Sequence, residues 1–276
     1  MSALAPYHFA GGTAVVTGAA SGIGEQLALA LAARGSDLVL LDRNAEGLAR
    51  VAATIRAGHP QRSVTELVVD LADPTAVDAA AAQILTEHPR LTLLVNNAGV
   101  ALAGRFQQVS LEEFEWVMAI NFRAPVRLTH QLLPALCASP GSHVVNVSSL
   151  FGLMTPVGQS AYSASKFALR GFSEVLRAEL SNDGVGVTTV YPGGIRTRIA
   201  ANARLGSGVG AEAGGSGLRA FERLLTYPPE QAAEEILTGV ERRRARVLIT
   251  RKTKTIDLLV RLLPTSYRRV LQRLTP

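Results

Sequence analysis

At 276 residues with 47% hydrophobic side chains, the chain can build one large α/β domain or two small ones around a substantial core. The single Cys137 excludes an internal disulfide framework, the first twelve residues lack the pattern of a secretory signal, and no apolar run reaches the roughly 18 to 20 uncharged residues of a membrane span, so a cytoplasmic protein is expected. The net charge of +6 is uneven: residues 241–276 carry +9 and the remainder −3, and with Tyr267 the only aromatic in that basic segment no nucleic-acid surface is expected.

Along the chain, short branched runs alternate with helical patterns. TAVVTG (13–18), DLVLLD (37–42), VTELVVD (64–70), LTLLVNN (91–97), SHVVNVSS (142–149) and VGVTTVYPG (185–193) are short apolar runs, branched and bounded by turn residues, which predicts buried strands, and RARVLIT (244–250) reads as a seventh. Segments 23–34, 45–57, 75–87, 111–136 and 160–181 read as helices between them. Repeated βα units of this kind predict a Rossmann-like, doubly wound, mostly parallel seven-stranded sheet with helices on both faces, in a single catalytic domain over 1–250. A basic extension, 251–276, follows.

TGAASGIG (17–24) leaves the first strand and opens the first helix. Its Gly18, Gly22 and Gly24 permit a tight turn and close approach of the backbone to a pyrophosphate, with Ser21 and Ile23 at the helix start, where unpaired N–H groups and a positive dipole favour phosphate. Asp42 ends the second strand, 18 residues beyond Gly24, where a carboxylate accepts hydrogen bonds from a ribose and repels a 2′-phosphate, favouring NAD over NADP. Arg43 beside it is either a solvated charge or a partner for a 2′-phosphate. Asp70, followed by Leu71, either meets the adenine edge or caps the next helix. Further on, Tyr162 and Lys166 stand four apart with only small residues between them, so both occupy one helical face. A free phenol titrates near pH 10, and a neighbouring ammonium favours the phenolate, fitting Tyr162 for general acid/base work.

TGAASGIG, NNAG (96–99), Asn121, NVSS (146–149), YSASK (162–166) and YPGGIRT (191–197) together resemble the short-chain dehydrogenase/reductase family in order and spacing over residues 10–200. The resemblance implies an NAD(P)-dependent oxidoreductase in which Tyr162 is the acid/base, Lys166 its partner, Ser149 the carbonyl-orienting hydroxyl and Asn121 the fourth catalytic member, binding a water that links Lys166 to solvent. It implies that Asn97, Ala98 and Gly99 meet the adenosine and that Pro192, Gly193, Ile195 and Thr197 hold the nicotinamide end. Family members that use NADP often carry Arg in the glycine-rich turn; Ala20 and Ser21 stand here. A homodimer or homotetramer is expected. A catalytically silent dinucleotide-binding regulator on the same fold is the alternative, and such proteins usually lose one of the four catalytic residues.

After Ser149, Leu150, Phe151, Leu153, Met154 and Val157 either wall an apolar substrate pocket, with Tyr162 and Gly193, or serve as core or dimer packing. A lipophilic secondary alcohol or ketone, steroid-, retinoid- or acyl-like, is the expected substrate. No histidine spacing suggests a metal, and none is expected. GSGVGAEAGGSG (206–217) reads as a mobile loop, either a lid within 198–225 or an insertion without function. In the tail, Ile256, Leu259, Val260 and Leu263, then Tyr267, Val270, Leu271 and Leu274, recur at helical spacing on either side of Pro264, which predicts two short helices. They are expected to cover the substrate entrance, pack on the protein or a partner subunit, or rest on a membrane.

Overall fold

The computed structural model describes residues 4–210, 217, 219 and 222–274, apart from the side chains of 272–274. Its strands are β1 (Thr13–Thr17), β2 (Asp37–Asp42), β3 (Val64–Val68), β4 (Leu91–Asn96), β5 (Leu102–Ala103), β6 (His143–Val147), β7 (Gly186–Tyr191), β8 (Arg204–Leu205) and β9 (Arg246–Leu248). Its helices are α1 (Gly22–Ala33), α2 (Ala45–Gly58), α3 (Pro74–Glu87), α4 (Leu111–Met118), α5 (Ala124–Cys137), α6 (Ser160–Glu179), α7 (Pro229–Glu241), α8 (Arg251–Leu262) and α9 (Tyr267–Leu274).

Seven strands form one sheet in the order β3-β2-β1-β4-β6-β7-β9, every neighbouring pair parallel. Successive strand residues face opposite sides, so each run feeds two cores. Val16, Leu40, Leu93 and Val145 pack with Leu27 and Leu31 of α1, Val51 of α2 and Ile236 of α7. Val15, Val39, Leu94 and Val144 pack on the other side with Ile84 of α3, Leu128 and Leu132 of α5 and Leu176 of α6. The sheet order reverses direction between β1 and β4, and in such a sheet the carboxyl ends of the strands around that point frame the ligand crevice.

Helix starts follow local chemistry: Asn44 accepts from the Gly47 N–H, Asp73 from that of Thr75, and Ser110 and Glu113 form a capping box. The predicted continuous helix 111–136 is interrupted. Residues Ala119–Arg123 form a π turn closed by the Ala124 N–H on the Ala119 carbonyl. The cause lies in the sequence, because Pro125 has no N–H to give the Asn121 carbonyl four residues earlier.

The predicted loop 206–217 lies partly outside the described residues, at 211–216. The part before it is strapped down: β8 pairs with β5, Gly206 donates to Ala103 and Gly208 to Gln108. The tail forms α8 and α9 on either side of Pro264 and packs through Thr253, Ile256, Asp257 and Tyr267.

Candidate active site

The glycine-rich turn joins β1 to α1 at the carboxyl edge of the sheet. Gly18 and Gly22 have φ of +67° and +58°, and a Cβ would meet the Ala98 backbone at 2.9 Å from Gly18 and Thr197 at 2.9 Å from Gly22. Gly24 sits against the Gly18 carbonyl with no room for a side chain. Ser21 precedes α1 in extended conformation without a side-chain hydrogen bond to the helix start. This leaves the first N–H groups of α1 to a ligand. A cavity of about 510 Å³ opens there, lined by Ser21, Gly22, Thr197 and three arginines, Arg50, Arg196 and Arg198. Sequence reasoning passed over those arginines. Arg50 is fixed by Glu25 at 2.6 and 3.0 Å and by the Ala20 carbonyl at 3.1 Å. Cradle, dipole and cations suit a pyrophosphate.

Both Asp42 oxygens accept main-chain N–H groups, from Ala20 at 3.1 Å and Asn44 at 3.0 Å, so the carboxylate is tied to the glycine-rich turn itself. Arg43 is exposed and makes no ion pair among the described residues. Asp70 is also exposed and accepts from the Ala72 N–H at 2.9 Å, while Asp73 caps α3 instead; Leu71 is half-buried behind it. The NNAG turn is bound to the cradle by Thr17, a residue the motif reading did not single out. Its hydroxyl accepts from the N–H groups of Asn97 and Ala98 at 3.0 Å each, and the Asn97 amide returns to the Thr17 carbonyl at 2.9 Å.

At the catalytic end, α6 buries Tyr162 and Lys166 on one face, with the Lys166 Nζ 5.8 Å from the centre of the Tyr162 ring. Ser149, at the end of the segment after β6, accepts from the Phe151 N–H at 3.1 Å and lies near enough to the phenol to favour its ionised form. Neighbouring Ser148 points elsewhere, donating to the Lys166 carbonyl at 2.9 Å. Burial raises the Tyr162 pKa, with Ser149 acting in the opposite direction, and burial lowers Lys166 to about 8. The Lys166 ammonium donates to the Val147 carbonyl at 2.9 Å.

Asn121 is fully buried in the π turn. Its amide donates to the Val100 carbonyl (3.0 Å) and Ser165 Oγ (3.1 Å) and accepts from the Val100 N–H (2.8 Å). Its side chain is therefore committed to structure, and only the main-chain carbonyl, deprived by Pro125 of its ordinary donor, is left for a solvent link. Gly99 completes the contact, for a Cβ there would lie 3.2 Å from Lys166 Nζ and 3.3 Å from Asn121 Oδ1.

The expected pocket residues separate. Phe151 stands edge-on to Tyr162, ring centres 5.9 Å apart, and Met154 is half-buried. Leu153 is buried in the interior and Val157 faces solvent. The side-chain direction of Gly193 is filled by Thr253 of α8, where a Cβ would fall 2.1 Å from its hydroxyl. Pro192 accepts from the Leu150 N–H, and Ile195, buried, precedes Thr197 over the cradle. A second, largely apolar cavity of about 680 Å³, lined by Phe106, Val157 and Phe167 with Arg105 and Arg268, opens on the face of α6 opposite Tyr162. Among the described residues no His, Cys, Asp and Glu cluster could hold a metal.

A dinucleotide cradle joined across one sheet edge to Ser149 and the buried pair Tyr162 and Lys166 defines a nicotinamide-dependent oxidoreductase. The family model for short chain dehydrogenase matches residues 12–207. A Mycobacterium tuberculosis protein, SadH, whose name classes it as an oxidoreductase, is 38% identical over 265 residues, covering 95% of this chain and 94% of its own. A dehydrogenase/reductase SDR family member 7B of Xenopus laevis is 36% identical, covering 92% of this chain and 78% of its own. A short-chain dehydrogenase/reductase of Burkholderia phymatum in complex with NAD superposes with a TM-score of 0.85 at 27% identity, over 94% of this chain and 95% of that one. One of Sphingobium yanoikuyae in complex with NADPH gives 0.75 at 30%, over 92% and 95%. The chain belongs to the short-chain dehydrogenase/reductase family.

Proposed function

We propose that the protein transfers a hydride between NAD and a lipophilic secondary alcohol or ketone, with Tyr162 as general acid/base. The observation that carries this is the intact catalytic set on one sheet edge: the buried Tyr162 phenol with Ser149 near it and Lys166 Nζ 5.8 Å from the ring centre. The residues around the cradle fit a nicotinamide dinucleotide, which when bound supplies the hydride acceptor or donor. Ser149 orients the substrate oxygen against the phenol, and Tyr162 takes its proton in oxidation or returns it in reduction. Lys166, charged at neutral pH, stabilises the phenolate that forms. Phe151, edge-on to the phenol, makes the substrate side apolar.

NAD is the preferred cofactor because Asp42 faces the ribose position with a fixed carboxylate and no arginine stands in the glycine-rich turn. The solved relatives include NAD and NADP complexes, so the preference rests on these residues. A panel of sterols, retinoids and simple secondary alcohols, followed by absorbance of the reduced nicotinamide, identifies the substrate. On it, Tyr162→Phe should lose at least about 10² in turnover with cofactor affinity retained. Near-normal turnover in that variant overturns the mechanism.

A further inference from the structure

The sequence pattern points Ile256 and Val260 of α8 towards the protein, and they do turn that way, beside Thr253 and Asp257. The opposite line of the helix carries a feature that the pattern does not display. Arg251, Thr255, Leu258 and Leu262 succeed one another at spacings of four, three and four, so they share the outward face. Leu258 is 57% exposed, Leu262 70% and Leu263, just beyond the helix, 39%. Lys252, Lys254 and the 68% exposed Arg261 flank them, and Arg268 and Arg269 stand exposed on α9. Between Arg251 and Leu271 the one acidic residue, Asp257, is turned inward and held by Arg246 at 2.7 Å, with Arg261 at 3.9 Å. The outward face is thus leucine at its centre and cationic at its borders, with no exposed carboxylate.

We infer that α8 docks this face on an anionic lipid bilayer. The charge pattern selects the occupant. In a symmetric contact with a second copy the cationic borders would meet their own kind, which repels, whereas anionic headgroups complement them and the acyl boundary accepts the leucines. The helix lies in the interface rather than crossing it, for among the described residues no helix is long and apolar enough to span a membrane. Because the inner face holds Thr253 against Gly193 and α9 holds Tyr267 against Thr155, docking would bring the substrate side of the protein close to the bilayer.

Vesicle sedimentation tests this without reference to turnover, so its outcome and that of the catalytic reading are independent. The full chain should sediment with phosphatidylcholine vesicles containing phosphatidylserine at low ionic strength. It should stay in solution with phosphatidylcholine alone, and salt should weaken the binding. Leu258→Ser with Leu262→Ser, both at solvent-facing sites, should cost at least about tenfold in partitioning, which is about 1.4 kcal/mol, and Lys254→Glu with Arg261→Glu a similar factor. Tyr162→Phe should bind as wild type. Failure of the full chain to sediment, or undiminished binding by the leucine pair variant, overturns the proposal. A dimer that the leucine pair variant dissociates, without vesicle binding by wild type, reassigns the face to a second copy.

Discussion

Tyr162 and Lys166 are both buried, and burial acts on them in opposite directions on the pH scale while penalising the charged form of each. Lysine in the unfolded chain keeps its proton to about pH 10.4, whereas folded Lys166 releases it at about 8. Between those values the unfolded chain binds more protons, so the penalty for burying this ammonium is relieved and Lys166's contribution to stability rises with pH. Lys166→Met should abolish that rise in urea midpoints measured from pH 8 upward. It should also move the acidic limb of the oxidation rate, where Tyr162 becomes the phenolate base, to higher pH, because the phenolate loses its neighbouring cation. At the other end of the site, Asp42 uses both oxygens on main-chain N–H groups, which fixes where its charge stands. Asp42→Asn keeps an acceptor and removes the charge. It should shift the ratio of NADP to NAD affinity by about tenfold towards NADP, about 1.4 kcal/mol, read by fluorescence titration of each cofactor. An unchanged ratio would show that the carboxylate does not select between them.

Elements matter where one is made to interrupt or hold another. The π turn at Ala119–Arg123 is legible in MAINFRAP once Pro125 is counted as a missing donor, yet a periodicity reading runs straight through it, because the apolar spacing continues on both sides. What the turn does is tertiary: it delivers Asn121 to Val100 and Ser165, across three elements. A second hold runs from α9 to the segment between Ser149 and α6. The buried Tyr267 hydroxyl accepts from the Thr155 N–H at 3.1 Å and shares a hydrogen bond with Thr155 Oγ1 at 2.9 Å, and Arg268 joins the same oxygen. Tyr267→Phe should therefore loosen the loop that carries Met154 beside the substrate side. The expected effect is a rise of about three- to tenfold in KM for the alcohol, within the 0.5–1.5 kcal/mol of a typical hydrogen bond, with cofactor affinity unchanged. Equal changes in both would place the effect on the fold as a whole.

For the molecule as a whole, the two cores and the parallel sheet leave the tail to close the edge beside β9. Ile256 and Tyr267 are buried there and Thr253 fills the space against Gly193. A chain ending at Thr250 should lose at least about 3 kcal/mol, the range for emptying buried apolar sites, in denaturant unfolding; an unchanged midpoint would mean the tail is peripheral to folding. Strands and crossover helices were legible because parallel strands buried on both faces must be continuously apolar, and the glycine-rich turn, Tyr162 and Lys166 because their spacing is itself local geometry. Strand ends were less so, with β3 stopping at Val68 rather than Asp70, since hydrogen bonding to β2 and not apolarity sets the limit. The sequence by itself determined the fold class, the family and the order of the site residues along the chain. Only the tertiary structure decided that Thr17 binds the NNAG turn to the cradle, that Arg50, Arg196 and Arg198 border it, and that Leu153 belongs to the interior while Leu258 and Leu262 face out. Each of those outcomes depends on which distant element covers a given side chain, and no local spacing encodes that.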